Sequence, residues 1–256
     1  MDDGWPFGWG VALPEMEPGL SPWPLVAVLV LLVMINVAAN KALPGYYLFW
    51  ALGGSVVVLM LGIMDGSTWR DLGMSPSTWL SGFMWGMATI LLVFLIYAVG
   101  STWKKTRSAF HDQNIAGLSK PRLFWQSMVE LPIGTVLFEE IAFRAVLWSM
   151  LARRFGIINA TIISSILFGL WHILPSLDLH LRHSAIGGVD AGGWWSRTVA
   201  IGGSVITTTI GGIVFCLLRI VSGSLLAPMG LHWATNGWGY LFARRVAAKN
   251  RKIAEE

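Results

Sequence analysis

Three otherwise apolar stretches of the sequence each contain a short cluster of polar residues. The clusters are Phe138-Glu-Glu-Ile-Ala-Phe-Arg144, Phe168-Gly-Leu-Trp-His172 and His232-Trp-Ala-Thr-Asn236. An ionisable side chain at the centre of a membrane span costs at least ~2.5–3.5 kcal/mol, so such residues are retained for a function or for pairing helices. Carboxylates and histidines move protons, and histidines and carboxamides stabilise developing negative charge. We therefore take these clusters as the candidate functional residues.

The two adjacent glutamates are expected to differ in role. Glu140 and Arg144 are four residues apart, so on a helix they share a face and form an ion pair. Glu139 projects about 100° away from that face and is left without this partner. An unneutralised carboxylate in a low-dielectric site accepts a proton more readily than one in water, as a general base must. A structural role in locking helices together is the alternative for all three residues.

The third cluster provides two hydrogen-bond donors on one helix face. His232 and Asn236 are spaced i, i+4, so an imidazole and a carboxamide point at one small volume, as an oxyanion site requires. His172 alone fits a hydrogen-bonded interior histidine equally well. Together with Glu139 it would instead hold or orient a water molecule. A carboxylate, such a histidine and two oxyanion donors are a sufficient set for amide hydrolysis.

Composition indicates the elements that must position these residues. Of the 256 residues, 55% are hydrophobic and 12% are charged, whereas a soluble domain carries about 25% charge, which excludes a water-soluble globule. At roughly 20 apolar residues per span, the length leaves room for about six to eight transmembrane helices. The sequence predicts an all-α polytopic transmembrane helix bundle of seven spans, with eight as the alternative. The predicted spans are 24–40, 46–64, 79–100, 132–151, 157–174, 199–220 and 224–243.

The spans divide the sequence into four parts. We expect an acidic extracytoplasmic leader at 1–23, N-terminal transmembrane helices at 24–121, a transmembrane core with the three clusters at 122–243, and a basic cytoplasmic tail at 244–256. The segment Arg122-Leu-Phe-Trp-Gln-Ser-Met-Val129 is either an interfacial amphipathic segment or the first turns of the fourth span.

The distribution of Lys and Arg predicts the orientation of the bundle. With seven spans, the loops on one side and the C-terminal tail hold thirteen Lys and Arg, and the loops on the other side hold Arg70, Arg153, Arg154 and Arg219. Because positively charged loops remain cytoplasmic, we expect the N-terminus outside and the C-terminus in the cytoplasm of a bacterial plasma membrane. The net charge of +4 reflects this bias, so no nucleic-acid partner is expected.

The ordered clusters resemble the motifs of one known family. Glu139-Glu140-x-x-x-Arg144, Phe168-x-x-x-His172 and His232-x-x-x-Asn236 are similar, in this order, to the motifs of the CAAX-prenyl-protease and bacteriocin-processing (CPBP or Abi) family of intramembrane proteases. Each motif alone is unspecific, whereas the ordered triple on predicted spans is specific. The resemblance covers about residues 122–243.

The resemblance implies an intramembrane endopeptidase whose site opens toward the cytoplasm. It implies that Glu139 with His172 activates a water molecule, and that His232 with Asn236 forms the oxyanion hole. Glu140 and Arg144 would be supporting residues. The expected partners are the lipid bilayer and a membrane-embedded or lipid-anchored peptide or protein substrate. No cofactor is expected on this reading.

Two other functions remain open at the level of the sequence. In a zinc protease, Glu139, His172 and His232 would be the metal ligands and water would take the fourth position, although the sequence contains no His-Glu-x-x-His motif. In a transporter or non-catalytic scaffold, the buried charges would conduct protons or hold helices together. The concentration of polar residues in three spans, with no evident internal repeat, favours the hydrolase.

Overall fold

The regular secondary structure of the protein is helical throughout its described residues. The computed structural model describes residues 13–110, 115, 117–177 and 194–255. The helices that form the bundle are α1 (Trp23–Val37), α2 (Tyr47–Met64), α3 (Trp79–Thr102), α4 (120–155), α5 (157–176), α6 (Trp194–Ser222) and α7 (Leu226–Glu255). The predicted all-α polytopic bundle is confirmed as the fold class. Residues 1–12 of the predicted acidic leader lie outside the described residues.

Five described stretches are long and apolar enough to cross a membrane. They are Trp23–Ala42, Pro44–Met64, Pro76–Thr102, Lys120–Ser176 and Arg197–Ser222. The fourth stretch contains two of the predicted spans, because Gly156 interrupts it with φ 79° and ψ 165°, values that only glycine adopts readily. The chain turns back at this residue. The seventh predicted span coincides with α7, which is not among the five, so the number of crossings stays a prediction.

Helix α4 carries the two glutamates and starts earlier than predicted. It begins at Lys120, where the Ser119 hydroxyl accepts a hydrogen bond from the Arg122 amide, so the segment 122–129 forms the first turns of the fourth helix. The helix is π-helical over Gln126–Leu137 and Ile141–Leu147, on both sides of the α-helical turn Phe138–Glu140. Such widened turns are rare and frequently mark functional sites.

The middle of α4 is the centre of the bundle. Its side chains are buried on every face, and the largest apolar ones are Phe143, Leu147, Trp148 and Met150. A helix that is apolar all round must be surrounded by other helices, and here α1, α2, α5 and α6 pack around it. The motif residues of α4 are therefore held inside the protein, with no contact to lipid.

Helices α3 and α7 approach closely because both present glycines. A Cβ atom on Gly230 of α7 would lie 2.7 Å from the Gly86 Cα of α3, and one on Gly82 would lie 2.3 Å from the Ser224 hydroxyl. Small residues of this kind allow helix backbones to pack directly in a membrane. Because α7 also carries His232 and Asn236, this contact sets the position of the third motif.

Three of the four arginines predicted on the sparsely charged side contact the turn between α2 and α3. Arg153 and Arg154 both bind Asp65, and Arg219 donates to the backbone carbonyls of Arg70 and Asp71. The three therefore lie at one end of the bundle, as the predicted topology groups them. The assignment of that end to the outside of the membrane stays a prediction.

The residues before α1 are attached to the same end of the bundle. Arg153, which is 3% exposed, donates two hydrogen bonds to the Glu17 carboxylate, at 3.0 and 2.8 Å. The Glu17 amide also donates to the Arg153 carbonyl, at 2.8 Å. The hydrogen bonds from Arg153 hold the pKa of Glu17 below its ordinary value of 4.5.

Substitution of Gly230 by alanine is expected to destabilise the bundle. The added methyl group cannot fit against the Gly86 backbone, and overpacking of this kind costs typically ~1–3 kcal/mol. The melting temperature in detergent should fall. Gly202→Ala in α6 is the matched control, because a Cβ atom there meets nothing within 4 Å. Equal melting temperatures for the two variants would contradict the close α3–α7 contact.

The Glu17 carboxylate is expected to make stability depend on acidity. Its pKa is lowered in the folded state, so its contribution is present above the ordinary pKa and is lost as the pH falls through the folded-state value. Wild type should melt higher than Glu17→Gln near neutral pH, and the difference should disappear on acidification. Melting temperatures at a series of pH values test this, with Glu15→Gln as the control. A constant difference at every pH would be the opposite result.

Candidate active site

Helices α4, α5 and α7 bring the three polar clusters together. His232 Nδ1 lies 2.7 Å from Glu140 Oε1, and His232 Nε2 lies 3.8 Å from Glu139 Oε2. His172 Nε2 lies 4.0 Å from the same Glu139 oxygen. Glu139, Glu140 and His232 are buried, and the His172 side chain is 20% exposed. Residues that are far apart in sequence thus form a single ionisable cluster.

The two oxygens of Glu139 have different surroundings. Oε1 accepts a hydrogen bond from the Trp171 indole at 3.0 Å. Oε2 is buried and has no hydrogen-bond partner among the described residues, although it faces Nε2 of both histidines. A buried carboxylate oxygen without a donor is unfavourable in the resting protein. Such an atom is well placed to accept a proton.

The hydrogen bond that His172 makes within its own helix fixes the tautomer of its neutral form. Its Nδ1 atom lies 2.8 Å from the Phe168 carbonyl. Because a carbonyl can only accept, Nδ1 carries the proton and Nε2 of the neutral ring presents a lone pair toward Glu139. Two acceptors 4.0 Å apart cannot bond to each other. A water molecule between them can donate one hydrogen bond to each.

Glu140 contacts two basic side chains, of which the sequence predicted one. The predicted Arg144 lies 3.3 Å from Glu140 Oε1, measured from Nη1. The shorter contact is the 2.7 Å hydrogen bond with His232. This pairing could not be predicted from local spacing, because 92 positions separate the two residues. Glu140 therefore joins the first motif to the third and orients the histidine ring.

Arg144 lies between aromatic rings. The carbon of its guanidinium is 3.8 Å from the centre of the Phe168 ring and 4.7 Å from that of Phe215. Apart from the ion pair of Nη1 with Glu140, its nitrogens have no hydrogen-bond acceptor within the described part of the chain. Cation–π attraction is strong where water is excluded, and it replaces part of the lost hydration. This contact explains why the second motif contains a phenylalanine four residues before its histidine.

His172 lines two cavities. The smaller one, of about 190 Å³, is lined by Glu139, Trp171 and His172 together with Asn40, Tyr47 and Thr135. The larger one, of about 600 Å³, is lined by His172, His232 and Asn236 together with Tyr97, Thr207 and Thr208. The predicted oxyanion donors thus face one cavity, and the predicted base faces the other.

A protein metal site needs three or four ligating side chains that converge on one point. In the ranges that the structure covers, no group of three or more His, Cys, Asp or Glu side chains has an arrangement that would hold a metal ion. Cys216, the single cysteine, is buried beside Ser165, with their Sγ and Oγ atoms 3.9 Å apart.

Fold and site together define an integral, multi-pass membrane protein with a buried cluster of carboxylates and histidines. The family model for Rce1-like proteins, described as type II CAAX prenyl endopeptidases, matches residues 121–238. That segment, somewhat less than half of the chain, contains all three motifs and is similar to this family of CAAX endopeptidases. No curated protein and no solved structure matches the chain significantly. The resemblance stated from the motifs is thereby confirmed.

The two glutamates are expected to differ in stability as well as activity. Glu140→Gln leaves Arg144 without the carboxylate it is paired with, and breaking a buried pair from one side costs about 3–5 kcal/mol. Detergent-solubilised yield and melting temperature should therefore fall. Glu139→Gln should accumulate normally and be inactive, because its amide oxygen still accepts from Trp171 while its basic oxygen is lost.

A double variant provides the control for this comparison. Replacing Glu140 by Gln and Arg144 by Met removes both charges of the pair, so yield and melting temperature should recover relative to Glu140→Gln alone. If Glu139→Gln were instead the unstable protein, and Glu140→Gln stable but inactive, the two roles would have to be exchanged.

Proposed function

We propose that the protein hydrolyses peptide bonds of membrane-embedded or lipid-anchored substrates, with a water molecule activated between Glu139 and His172. The observation that carries this proposal is the pair of facing acceptors, Glu139 Oε2 and His172 Nε2, 4.0 Å apart. A water molecule bound there loses a proton to Glu139 as it attacks the scissile carbonyl. The proton then passes to the leaving amine.

The larger cavity supports a position for the substrate carbonyl. Its walls include His232 and Asn236, whose Nε2–H and carboxamide donate to the oxyanion that forms. For His232 to donate from Nε2 while Nδ1 donates to Glu140, the ring must be an imidazolium. The Glu140 carboxylate at 2.7 Å stabilises that charge.

The charges of the cluster sum to zero when His232 is an imidazolium. Two carboxylates, Glu139 and Glu140, face one guanidinium and one imidazolium, so the resting site is neutral. When Glu139 takes the proton of water and the oxyanion forms, one negative charge moves from Glu139 toward His232. The reaction therefore displaces charge within the site and does not create net charge in low dielectric.

The substrate class is proposed from the family and the membrane location. The matching family is described as CAAX prenyl endopeptidases, so a peptide anchored near its cleavage site by a lipid is a first candidate. A segment of a membrane protein that reaches the larger cavity is the second. Both would be delivered within the plane of the bilayer.

Comparison of terminal fragments tests this function. Membranes from cells that contain wild type or Glu139→Gln are compared by terminal-fragment proteomics, and fragments present only with wild type identify substrates and cleavage sites. A short set of fragments that depends on Glu139 is expected. Equal fragment sets for the two proteins would overturn the proposed function.

The loss of activity caused by single substitutions in the site should depend on the role of the residue replaced. His172→Ala and His232→Ala are expected to remove most activity on a substrate found in this way. Asn236→Ala should cost about 10²–10³ in rate, the usual effect of losing one oxyanion donor.

A zinc chelator should leave the wild-type rate unchanged. Loss of activity with chelator and its recovery with added zinc would instead support the zinc protease, in which the metal activates the water.

A further inference from the structure

The carboxylate of Glu139 is held in one orientation by a tryptophan. The terminal torsion of a glutamate side chain is broad and roughly two-fold, so the carboxylate rotates unless a donor fixes one oxygen. The Trp171 indole, which can only donate, bonds to Oε1 at 3.0 Å inside the protein. Its ring packs against Phe138 and Phe143, with centroids 5.7 Å apart in each case. The other oxygen is thereby directed at the two histidines.

An asparagine from α1 holds the backbone of this tryptophan. The last carbonyls of a helix lack partners within the helix, and the regular helical turns of α5 break at His172. The Trp171 carbonyl accepts a hydrogen bond from Asn36 Nδ2 at 3.0 Å. Asn40 Nδ2 donates to Asn36 Oδ1 at 2.8 Å, which fixes the Asn36 amide with its nitrogen toward α5. Asn36 is only 9% exposed, so this polar contact lies within the bundle.

We infer that Trp171 is a positioning residue for the reaction: it aligns Glu139 for water activation and is itself held by Asn36. The inference rests on the proposed function, since it requires Glu139 to be the base. Asn36 lies outside residues 121–238, the segment that matches the family. The first helix therefore contributes to the alignment of the site as well as to the packing of the bundle.

The two cavities separate this role from substrate binding. Trp171 lines the smaller cavity, with Glu139, and is not among the residues that line the larger one, where the substrate carbonyl is proposed to bind. Loss of the indole N–H should therefore lower kcat and leave KM unchanged. A general loss of folding would instead reduce the amount of active protein without this separation.

The test is Trp171→Phe, measured with an internally quenched peptide built on a cleavage site from the fragment comparison. A hydrogen bond to a charged group is lost, so kcat should fall roughly ten- to hundredfold at constant KM. Trp148→Phe is the matched control. Its indole is fully buried in α4 and donates to the Thr161 hydroxyl of α5 at 3.1 Å, so this variant should lose stability and retain its kcat.

Two further variants keep the inference falsifiable if Trp171→Phe does not fold. Replacement of Trp171 by 3-benzothienylalanine through amber suppression keeps the ring shape and removes only the N–H, so kcat should fall as in Trp171→Phe. Asn36→Leu should lower kcat in the same direction by a smaller factor, because the indole donor is still present.

The outcomes distinguish this inference from the function on which it rests. A normal kcat in the benzothienylalanine protein, together with an inactive Glu139→Gln protein, overturns the positioning role and leaves the proposed function standing. Equal losses of kcat in the Trp171→Phe and Trp148→Phe proteins also overturn it. Fragment sets that do not depend on Glu139 overturn the function and this inference together.

Discussion

The bundle has to bury two carboxylates, a guanidinium and the His232 imidazole where three of its helices meet. A charge left unpaired there would cost several kcal/mol. Glu140 meets this requirement by contacting both Arg144 and His232. The guanidinium in turn lies on the faces of Phe168 and Phe215. Glu139 and Glu140 each keep one oxygen, Oε2, without a hydrogen-bond partner in the described chain. The Oε2 atom of Glu139 faces Nε2 of both histidines, which is where the proposed reaction needs a proton acceptor.

The pairing of charges requires helices to approach closely, which explains where the small residues lie. The break at Gly156 lets α5 return along α4, where the Ser164 hydroxyl donates to the Phe143 carbonyl at 2.8 Å. A Cβ atom on Gly169 would lie 2.0 Å from the Thr209 hydroxyl of α6. A larger residue at position 169 would push apart α5 and α6, the helices that carry the two phenylalanines around the guanidinium. Helix packing and charge burial are thus one constraint.

The sequence predicted those features of the site that depend on local spacing or composition. The apolar runs predicted the helical bundle, and the i, i+4 spacing predicted that Glu140 would face Arg144. The contacts of Glu140 with His232, of Trp171 with Glu139 and of Asn36 with Trp171 join residues 92, 32 and 135 positions apart. Periodicity reports only which face of its own helix a residue occupies, so these pairings could not be read from it. The one available signal for Asn36 was an uncharged polar residue in an apolar span.

The two oxygens of the Glu139 carboxylate have different roles: one is fixed by a hydrogen bond, and the other is proposed to accept the proton. On one side, α1 and α5 hold Oε1 through Asn36 and Trp171, beside a small cavity in which the Tyr47 and Thr135 hydroxyls lie 2.6 Å apart. On the other side, Oε2 faces His172 and His232, the two histidines that also line the larger cavity. A base that has one fixed oxygen loses little orientational freedom when it accepts a proton through the other, which keeps the geometry for attack unchanged. Helix α1, which precedes the family-matched segment, thus belongs to the site. Without Asn36 of α1, the Trp171 indole that donates to Glu139 Oε1 would not be held in place.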